Sequence, residues 1–241
     1  MGPSSTHRFF GRRFGRPLSN ARRELISNVL PEMEITCKAA ATINETFDPS
    51  IKKLCLEIGF GAGEHLADMV IKRPEVGFIG CEPFVNGVAA LLAKTQSRNI
   101  QLRPKNLKIF PNDARLLLPY LPPATVDQIY LLFPDPWPKK RHHRRRLICA
   151  ENLDQLSRLL RPGGVFHFAS DHMGYVRWTL QQLCKHSDFD WLADGPDDWR
   201  FRFEESIKTR YESKALSSGV SCVYLTFRRR HQAASASTLL Y

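Results

Sequence analysis

Residues 52–66 read KKLCLEIGFGAGEHL, and this stretch decides the fold. The apolar run at 52–60 is typical of a buried strand, and 63–73 has the apolar spacing of a helix. Three glycines occupy the turn between the two elements: Gly59, Gly61 and Gly63. Glycine permits a tight turn and lets the backbone approach a ligand closely. The stretch therefore predicts the first strand–loop–helix unit of an α/β fold, with a ligand site at the turn.

The same alternation of elements continues along the chain. Further strands are predicted at 76–83, 106–114, 126–133, 164–171 and 221–229. Further helices are predicted at 85–96, 145–160 and 174–186. Alternating strands and helices indicate parallel strands joined by right-handed crossovers. We expect an α/β, doubly wound, mostly parallel sheet whose ligands lie at the carboxyl ends of the strands.

Composition divides the chain into three parts. Residues 1–45 contain glycines and prolines that oppose regular structure, so we expect a basic arm and a polar connector there. Residues 46–230 are expected to form one α/β domain, and residues 231–241 have the composition of a disordered tail. No apolar run is long enough to span a bilayer, and no secretory signal is recognisable at the N-terminus. Six scattered cysteines indicate reduced thiols and a cytoplasmic protein.

The net charge of +11 is concentrated in three segments. Residues 1–23, 139–146 and 228–230 contain 15 of the 35 Lys and Arg residues and none of the 24 acidic residues. The rest of the chain is mildly acidic. Clustered basic charge indicates a polyanionic partner, with nucleic acid favoured over a membrane surface because 139–146 has no apolar face.

Acidic residues stand at or near the ends of the predicted strands. They are Glu57, Glu82, Asp113, Asp135 and Asp171. Glu64 stands where a dinucleotide-binding loop needs Gly or Ala, and no G-K-[ST] follows the loop, so the ligand should be nucleoside-like without a phosphate there. Glu82 is placed to hold ribose hydroxyls, and Asp113 to accept from an adenine amino group. This is the layout of a Class I S-adenosylmethionine-dependent methyltransferase, and a cationic donor would explain the acidic rim. No metal site is expected.

Further motifs are similar to those of the bacterial-type tRNA (guanine-N7-)-methyltransferases. They are EIGFGAGEHL (57–66), GCEPF (80–84), NDA (112–114), FPDPWPKKRHHRRR (133–146), ASD (169–171) and TRYESKA (209–215), with weaker support from GRPLS (15–19). The resemblance runs from about residue 8 to 229. It implies a Rossmann-like sheet of seven strands and methylation of N7 of a guanine in the variable loop of tRNA, with S-adenosylmethionine as donor.

The resemblance also implies roles for particular residues. Cofactor contacts fall on Glu57, Gly59, Gly61, Gly63, Glu82, Asp113 and Asp135, and Asp135 is also the active-site residue. Substrate contacts fall on Lys139, Asp171, Thr209, Arg210, Tyr211 and Glu212. RNA contacts fall on Arg141, His142, His143, Arg144, Arg145 and Arg146. It implies tRNA as the partner. We expect no DNA partner, no membrane and no partner subunit, and a monomer or weak homodimer.

Structural alternatives stand beside several of these roles. Trp137 either stacks on the target base or only packs the proline-rich loop. Thr209 and Glu212 have the spacing of a helix capping box, and Asp171 could cap the helix that follows it. Two other functions are weighed: an exocyclic-amine nucleic-acid methyltransferase, because Asp135-Pro136-Trp137 is similar to that active-site loop, and a non-catalytic RNA-binding relative.

Overall fold

The structure, a computed structural model, describes residues 10–96, 104–204 and 206–231. Seven strands form a single sheet: β1 (Lys53–Ile58), β2 (Val76–Cys81), β3 (Leu107–Phe110), β4 (Val126–Leu132), β5 (Leu160–Ser170), β6 (Phe189–Trp191) and β7 (Val223–Arg229). Their order is β3-β2-β1-β4-β5-β7-β6. Strand β7 is antiparallel to both neighbours, and the pairs from β3 to β5 are parallel. The predicted doubly wound, mostly parallel sheet is confirmed.

Ten α-helices lie in the described residues: α1 (Asn20–Glu24), α2 (Leu30–Met33), α3 (Cys37–Ala40), α4 (Glu64–Lys72), α5 (Val85–Gln96), α6 (Ala114–Leu117), α7 (Ala150–Leu159), α8 (Met173–Leu183), α9 (Asp197–Arg200) and α10 (Arg210–Ser217). A π-helical stretch, Leu25–Val29, joins α1 to α2. Apolar side chains of α4 and α5 pack on one face of the sheet, and those of α6, α7 and α8 pack on the other. The sheet is therefore covered on both faces, as buried parallel strands require.

The register of the sheet brings several strand ends together. Glu57 on β1 is opposite Gly80 of β2 and Tyr130 of β4. The chain leaves β1 toward β2 and β3 on one side and later returns to β4 on the other, so β1 and β4 flank the topological switch point. The crevice at their carboxyl ends is where this architecture binds ligands.

The segment before β1 differs from the expected polar connector. Val29, Leu30 and Met33 are buried on one face of the sheet, whereas Ile35 and Ile43 are buried on the other. Between these two groups the chain pairs with the edge of β3 through a bridge at position 34 and a hydrogen bond from the Ile35 amide. Apolar residues at 25, 26, 29, 30 and 33 have helical spacing, a signal that the glycines and prolines farther upstream obscured.

Three smaller differences have local causes. Strand β6 was not predicted because it has only three residues. Helix α7 begins at Ala150, after the basic run, and not at 145. Strand β5 begins at Leu160 and includes the predicted break at 161–164, where its register against β4 shifts. The predicted tail lies outside the described residues except for position 231.

Within the described parts of the chain, no helix combines the length and apolar composition needed to cross a bilayer.

Asn106, just before β3, ties three chain segments together. Its Nδ2 group donates to the carbonyl oxygens of Val70, Arg73 and Val76 at 3.0–3.2 Å, and the residue is buried. In Asn106→Asp a carboxylate would face these three acceptors without a donor. We expect the free energy of unfolding to fall by about 3 kcal/mol or more in urea titrations. The matched change at exposed Asn28 should alter it by less than about 0.5 kcal/mol, and an equal loss in both variants would contradict this explanation.

Candidate active site

A cavity of about 440 Å³ lies at the carboxyl ends of β1, β2 and β4. Its lining includes four carboxylates and three cations: Glu57, Glu64, Glu82, Asp135, Arg12, Arg115 and Arg145. Its volume is in the range of small-molecule sites, which is about 300–1,000 Å³. The predicted glycine loop therefore meets three of the five predicted acidic residues, Glu57, Glu82 and Asp135, at one site.

The glycine loop forms one wall of this cavity. Gly59, Gly61 and Gly63 have φ angles of 72°, 59° and 70°, in the left-handed region that side chains disfavour. A Cβ at Gly59 would meet no atom within 4 Å, so this part of the loop faces open space. Gly63 is different, because a Cβ there would lie 2.6 Å from the Leu91 side chain and the residue does not line the cavity. Gly63 thus serves helix packing, not ligand contact.

The Glu82 carboxylate fixes the shape of the loop. It accepts hydrogen bonds from the Gly61 amide at 2.7 Å and from the Phe84 amide at 2.9 Å. Burial raises the pKa of Glu82 to about 7, against the lowering effect of these two amides, and the charges of Asp135 and Glu57 raise it further. Each oxygen keeps a second lone pair for a ligand hydroxyl.

Glu57, at the end of β1, is 5% exposed and also lines the cavity. One of its oxygens lies 2.7 Å from Nδ1 of His65, on the first turn of α4. The sequence pattern placed Glu57 at the site but gave no sign of His65, whose position follows from the turn made by the glycine loop.

Asp135 follows β4 and lies at the mouth of the cavity with its side chain exposed. Phe133 and Trp137, two residues to either side, have φ angles of 50° and 44°. Bulky residues rarely adopt this conformation, and such strain concentrates at functional sites. The loop around Asp135 is thus held in an unusual backbone shape that sequence patterns do not reveal.

Trp137 lies between two other side chains of the basic segment. The Arg145 guanidinium is 4.7 Å from the Trp137 ring centroid and 4.6 Å from that of Phe10, and His142 meets Trp137 edge-on at 5.9 Å. Trp137 therefore packs the loop, and a base stacking on the face that Arg145 covers would have to displace the guanidinium.

Arg146 corrects the prediction for the basic segment. It is 3% exposed, its Nε group donates to the Pro136 carbonyl oxygen at 2.9 Å, and its guanidinium lies over the rings of Tyr175 and Trp178. Arg146 is therefore a structural residue that holds the loop around Asp135 to α8. Arg141 and Arg144 are exposed, and His143 packs edge-on against Trp178.

Asp113 was predicted to contact the ligand, but it is not among the residues that line the cavity. It caps α6 by accepting from the Arg115 amide, and its carboxylate accepts from the Arg115 side chain through both oxygens. The cavity wall at this point is Arg115. An adenine amino group would therefore meet a carboxylate that already has a guanidinium partner.

The predicted substrate stretch on α10 divides into two groups. Thr209 and Tyr211 line the cavity, and Thr209 caps the helix by accepting from the Glu212 amide, which is one half of the predicted capping box, whereas the Glu212 side chain turns instead to Arg202 and Tyr224. Glu212 is 2% exposed and accepts from both the Arg202 guanidinium and the Tyr224 hydroxyl. Glu212 anchors the helix and is not among the residues that line the cavity. Arg210 is exposed, and its Nε atom lies 3.7 Å from Oε1 of Glu64.

Lys139 and Asp171 are exposed and lie outside the lining of the cavity. Asp171 does not cap the following helix, because the cap of α8 is His172, whose Nδ1 accepts from the Tyr175 amide. Both residues remain available to a large substrate.

The N-terminal arm contributes to the site in a way that sequence patterns did not indicate. Phe10, Gly11 and Arg12 line the cavity. The arm is fastened beside it by hydrogen bonds between Gly15 and the Asn86 side chain and between the Val85 amide and the Arg13 carbonyl oxygen.

Among the residues that the structure describes, no three His, Cys, Asp or Glu side chains are grouped as a metal ion would require.

Comparison with solved structures supports the class of fold. A 16S rRNA (adenine(1408)-N(1))-methyltransferase from Catenulisporales acidiphilia, solved with its cosubstrate SAM, superposes with a TM-score of 0.56 over 83% of this chain and 94% of its own, at 14% identity. The 16S rRNA methyltransferase KamB gives 0.52 over 79% and 92%, at 18% identity. Together with the strand order and the glycine loop, this defines a fold of the Class I methyltransferase (Rossmann-like) type.

Sequence comparison then gives the family. Residues 51–225 match the family described as putative methyltransferase. The tRNA (guanine-N(7)-)-methyltransferase of Agrobacterium fabrum is 46% identical over 94% of this chain and 97% of its own, and that of Rhodospirillum rubrum is 44% identical over 98% and 93%. The chain belongs to the tRNA (guanine-N(7)-)-methyltransferase family.

Truncation of Arg146 should destabilise the protein, whereas truncation of Arg144 should leave its stability nearly unchanged. Arg146→Ala leaves the Pro136 carbonyl oxygen without its donor and opens a void beneath the loop, so we expect a loss of about 2–4 kcal/mol in the free energy of unfolding. Arg144→Ala removes an exposed side chain and should change it by less than about 0.5 kcal/mol. Thermal and urea unfolding of the two variants measures the difference. Equal stability of the two variants would contradict the structural role of Arg146.

Proposed function

We propose that this protein transfers a methyl group from S-adenosylmethionine to N7 of a guanine in the variable loop of tRNA, forming 7-methylguanosine. Two near-full-length relatives named for this activity support the proposal. The observation that carries it is the position of Asp135, at the mouth of a cavity that also contains Glu57 and Glu82 and directly before a basic segment.

The cavity fits the methyl donor. Glu82 has free lone pairs for two ribose hydroxyls, Gly59 leaves room beside the backbone, and Glu57 supplies a carboxylate for a cationic group. When bound, S-adenosylmethionine would supply an electrophilic methyl group attached to a sulfonium. Asp113 would act on the adenine end only through Arg115, which it holds in the cavity wall.

The chemistry asks little of the protein in proton transfer. Guanine N7 has an in-plane lone pair and no proton, so an in-line displacement needs no general base. Catalysis then depends on positioning and on electrostatic stabilisation of the product. A nearby carboxylate would stabilise the positive charge that develops on the guanine ring, and Asp135 is placed to supply that carboxylate.

The outer part of the site is suited to RNA. An exposed basic surface lies beside Asp135 and consists of Lys139, Lys140, Arg141 and Arg144. The buried Arg146 is not part of it. These residues would contact phosphates around the target nucleotide and fix its approach. Asp171 and Tyr211 remain candidates for contact with the base. We further propose a cytoplasmic enzyme that acts without a partner subunit, as a monomer or weak homodimer.

Methylation of unmodified tRNA with labelled S-adenosylmethionine tests the proposed function. We expect label at a single guanine of the variable loop, and mapping should identify 7-methylguanosine. Label on an adenine or on an exocyclic amine, or no incorporation by the folded protein, would contradict the proposal.

Replacing Asp135 with Asn tests its electrostatic role. The amide keeps the size of the side chain and loses its charge, so we expect the single-turnover rate at saturating donor and tRNA to fall by about 100-fold. Asp154→Asn, which changes an exposed carboxylate outside the cavity, is the matched control and should keep the wild-type rate. A near-normal rate for Asp135→Asn would show that the charge is not used.

Glu82 predicts how donor binding depends on pH. Its pKa in the free protein is raised to about 7, and the ionised form accepts from hydroxyls best. Bound hydroxyls stabilise the ionised form, so binding lowers this pKa, and affinity should fall as the pH drops below about 7, by up to about tenfold per pH unit. Calorimetric titration from pH 6 to pH 8.5 measures it. Glu82→Gln should bind weakly and lack this component of the pH dependence. An identical profile in both proteins would exclude Glu82 as its source.

A further inference from the structure

The Glu57 carboxylate is buried, lines the cavity and has one neighbour that can orient it. Among the described residues, its side-chain hydrogen bond is to Nδ1 of His65, at 2.7 Å. A carboxylate oxygen accepts, so the contact is satisfied by the His65 tautomer that carries its proton on Nδ1.

His65 is itself 2% exposed, and its position is fixed on two sides. The glycine loop brings the first turn of α4 back beside the end of β1, which places the imidazole next to Glu57. The ring also packs on Tyr130 of β4, with centroids 4.8 Å apart, and Tyr130 stacks on His167 of β5 at 4.7 Å. The imidazole is thus a rigid donor.

The other ring nitrogen of His65 makes a histidine unfavourable at this position unless the contact with Glu57 has a role. Nε2 is buried and has no hydrogen-bond partner in the part of the chain that the structure describes. An unsatisfied buried polar atom costs about 1–3 kcal/mol, and an apolar ring would fill the same space without that cost. The polar contact that remains for His65 is the one with Glu57.

We propose that His65 is a positioning residue whose Nδ1–H group holds the Glu57 carboxylate oriented toward the cationic amino-acid end of the methyl donor. The proposal rests on the proposed function of the cavity. His65 also lines the cavity, but its described polar contact is with Glu57, so it would act through Glu57 on binding of the amino-acid end and leave binding of the adenosine end unchanged.

Two ligands separate these ends. S-adenosylmethionine has both, whereas 5′-methylthioadenosine has the adenosine end alone. Loss of a hydrogen bond to a charged group corresponds to about 10- to 100-fold in affinity. In His65→Phe, which keeps a ring against Tyr130, we expect the Kd for S-adenosylmethionine to rise by at least about tenfold and that for 5′-methylthioadenosine by less than about twofold.

His65→Asn is the conservative variant, because an asparagine amide can donate from nearly the same place as Nδ1. It should restore the affinity for S-adenosylmethionine to within about threefold of wild type. His167→Leu is the matched control, since it changes the same aromatic stack without touching Glu57, and it should show no selective loss for S-adenosylmethionine. Should the phenylalanine variant not fold, His65→Leu carries the same comparison.

A double-mutant cycle with Glu57→Gln completes the test. If His65 acts through Glu57, His65→Phe should change affinity for S-adenosylmethionine by less than about twofold in the Glu57→Gln background. Equal losses for both ligands, an unchanged Kd in His65→Phe, or full additivity with Glu57→Gln would each overturn the proposal. Failure of the proposed function is separate, since the wild-type protein would then bind no S-adenosylmethionine or methylate no tRNA.

Discussion

The hydrogen bonds from the Gly61 and Phe84 amides to the Glu82 carboxylate are the contacts on which the site depends. They tie the glycine loop after β1 to the end of β2, so one side chain fixes the position of two backbone segments. Helix α5 then packs so closely that a Cβ at Gly87 would lie 2.2 Å from the Gly61 carbonyl oxygen. The carboxylate predicted as a ligand contact thus also shapes the cavity that the ligand enters.

The site places an acidic cavity directly beside a basic surface. Glu57, Glu82 and Asp135 all line one cavity, where burial raises the pKa of Glu82 and the charges of Asp135 and Glu57 add to that shift. The neighbouring basic segment turns Arg145 and Arg146 inward to aromatic rings and leaves Arg141 and Arg144 outside. A cationic donor and an anionic RNA would therefore be attracted to adjacent but different surfaces.

Predictions from the sequence were correct for elements with a strong apolar periodicity and for several residues that directly follow a strand. Helix α5 has the predicted bounds, 85–96, and Glu57, Glu82 and Asp135 do line one cavity. Predictions failed where a residue type has two common uses. An arginine in a basic run is usually exposed, yet Arg146 is buried by Tyr175 and Trp178, which come from a helix far along the chain. Asp113 and Glu212 are engaged by Arg115 and Arg202, and the pattern around a carboxylate does not reveal such partners.

The N-terminal segment that passes around β3 has a consequence for assembly of the fold. Position 34 pairs with Ile109, about 75 residues later in the chain, and the bridge covers an edge that would otherwise present unpaired backbone groups. Closing so long a loop is entropically unfavourable before the sheet exists, so this docking is expected to be a late step in folding. Until then β3 is an open edge able to recruit another chain. Once docked, the segment closes this edge, so its buried apolar residues complete the core and also keep the folded protein from pairing with another chain there.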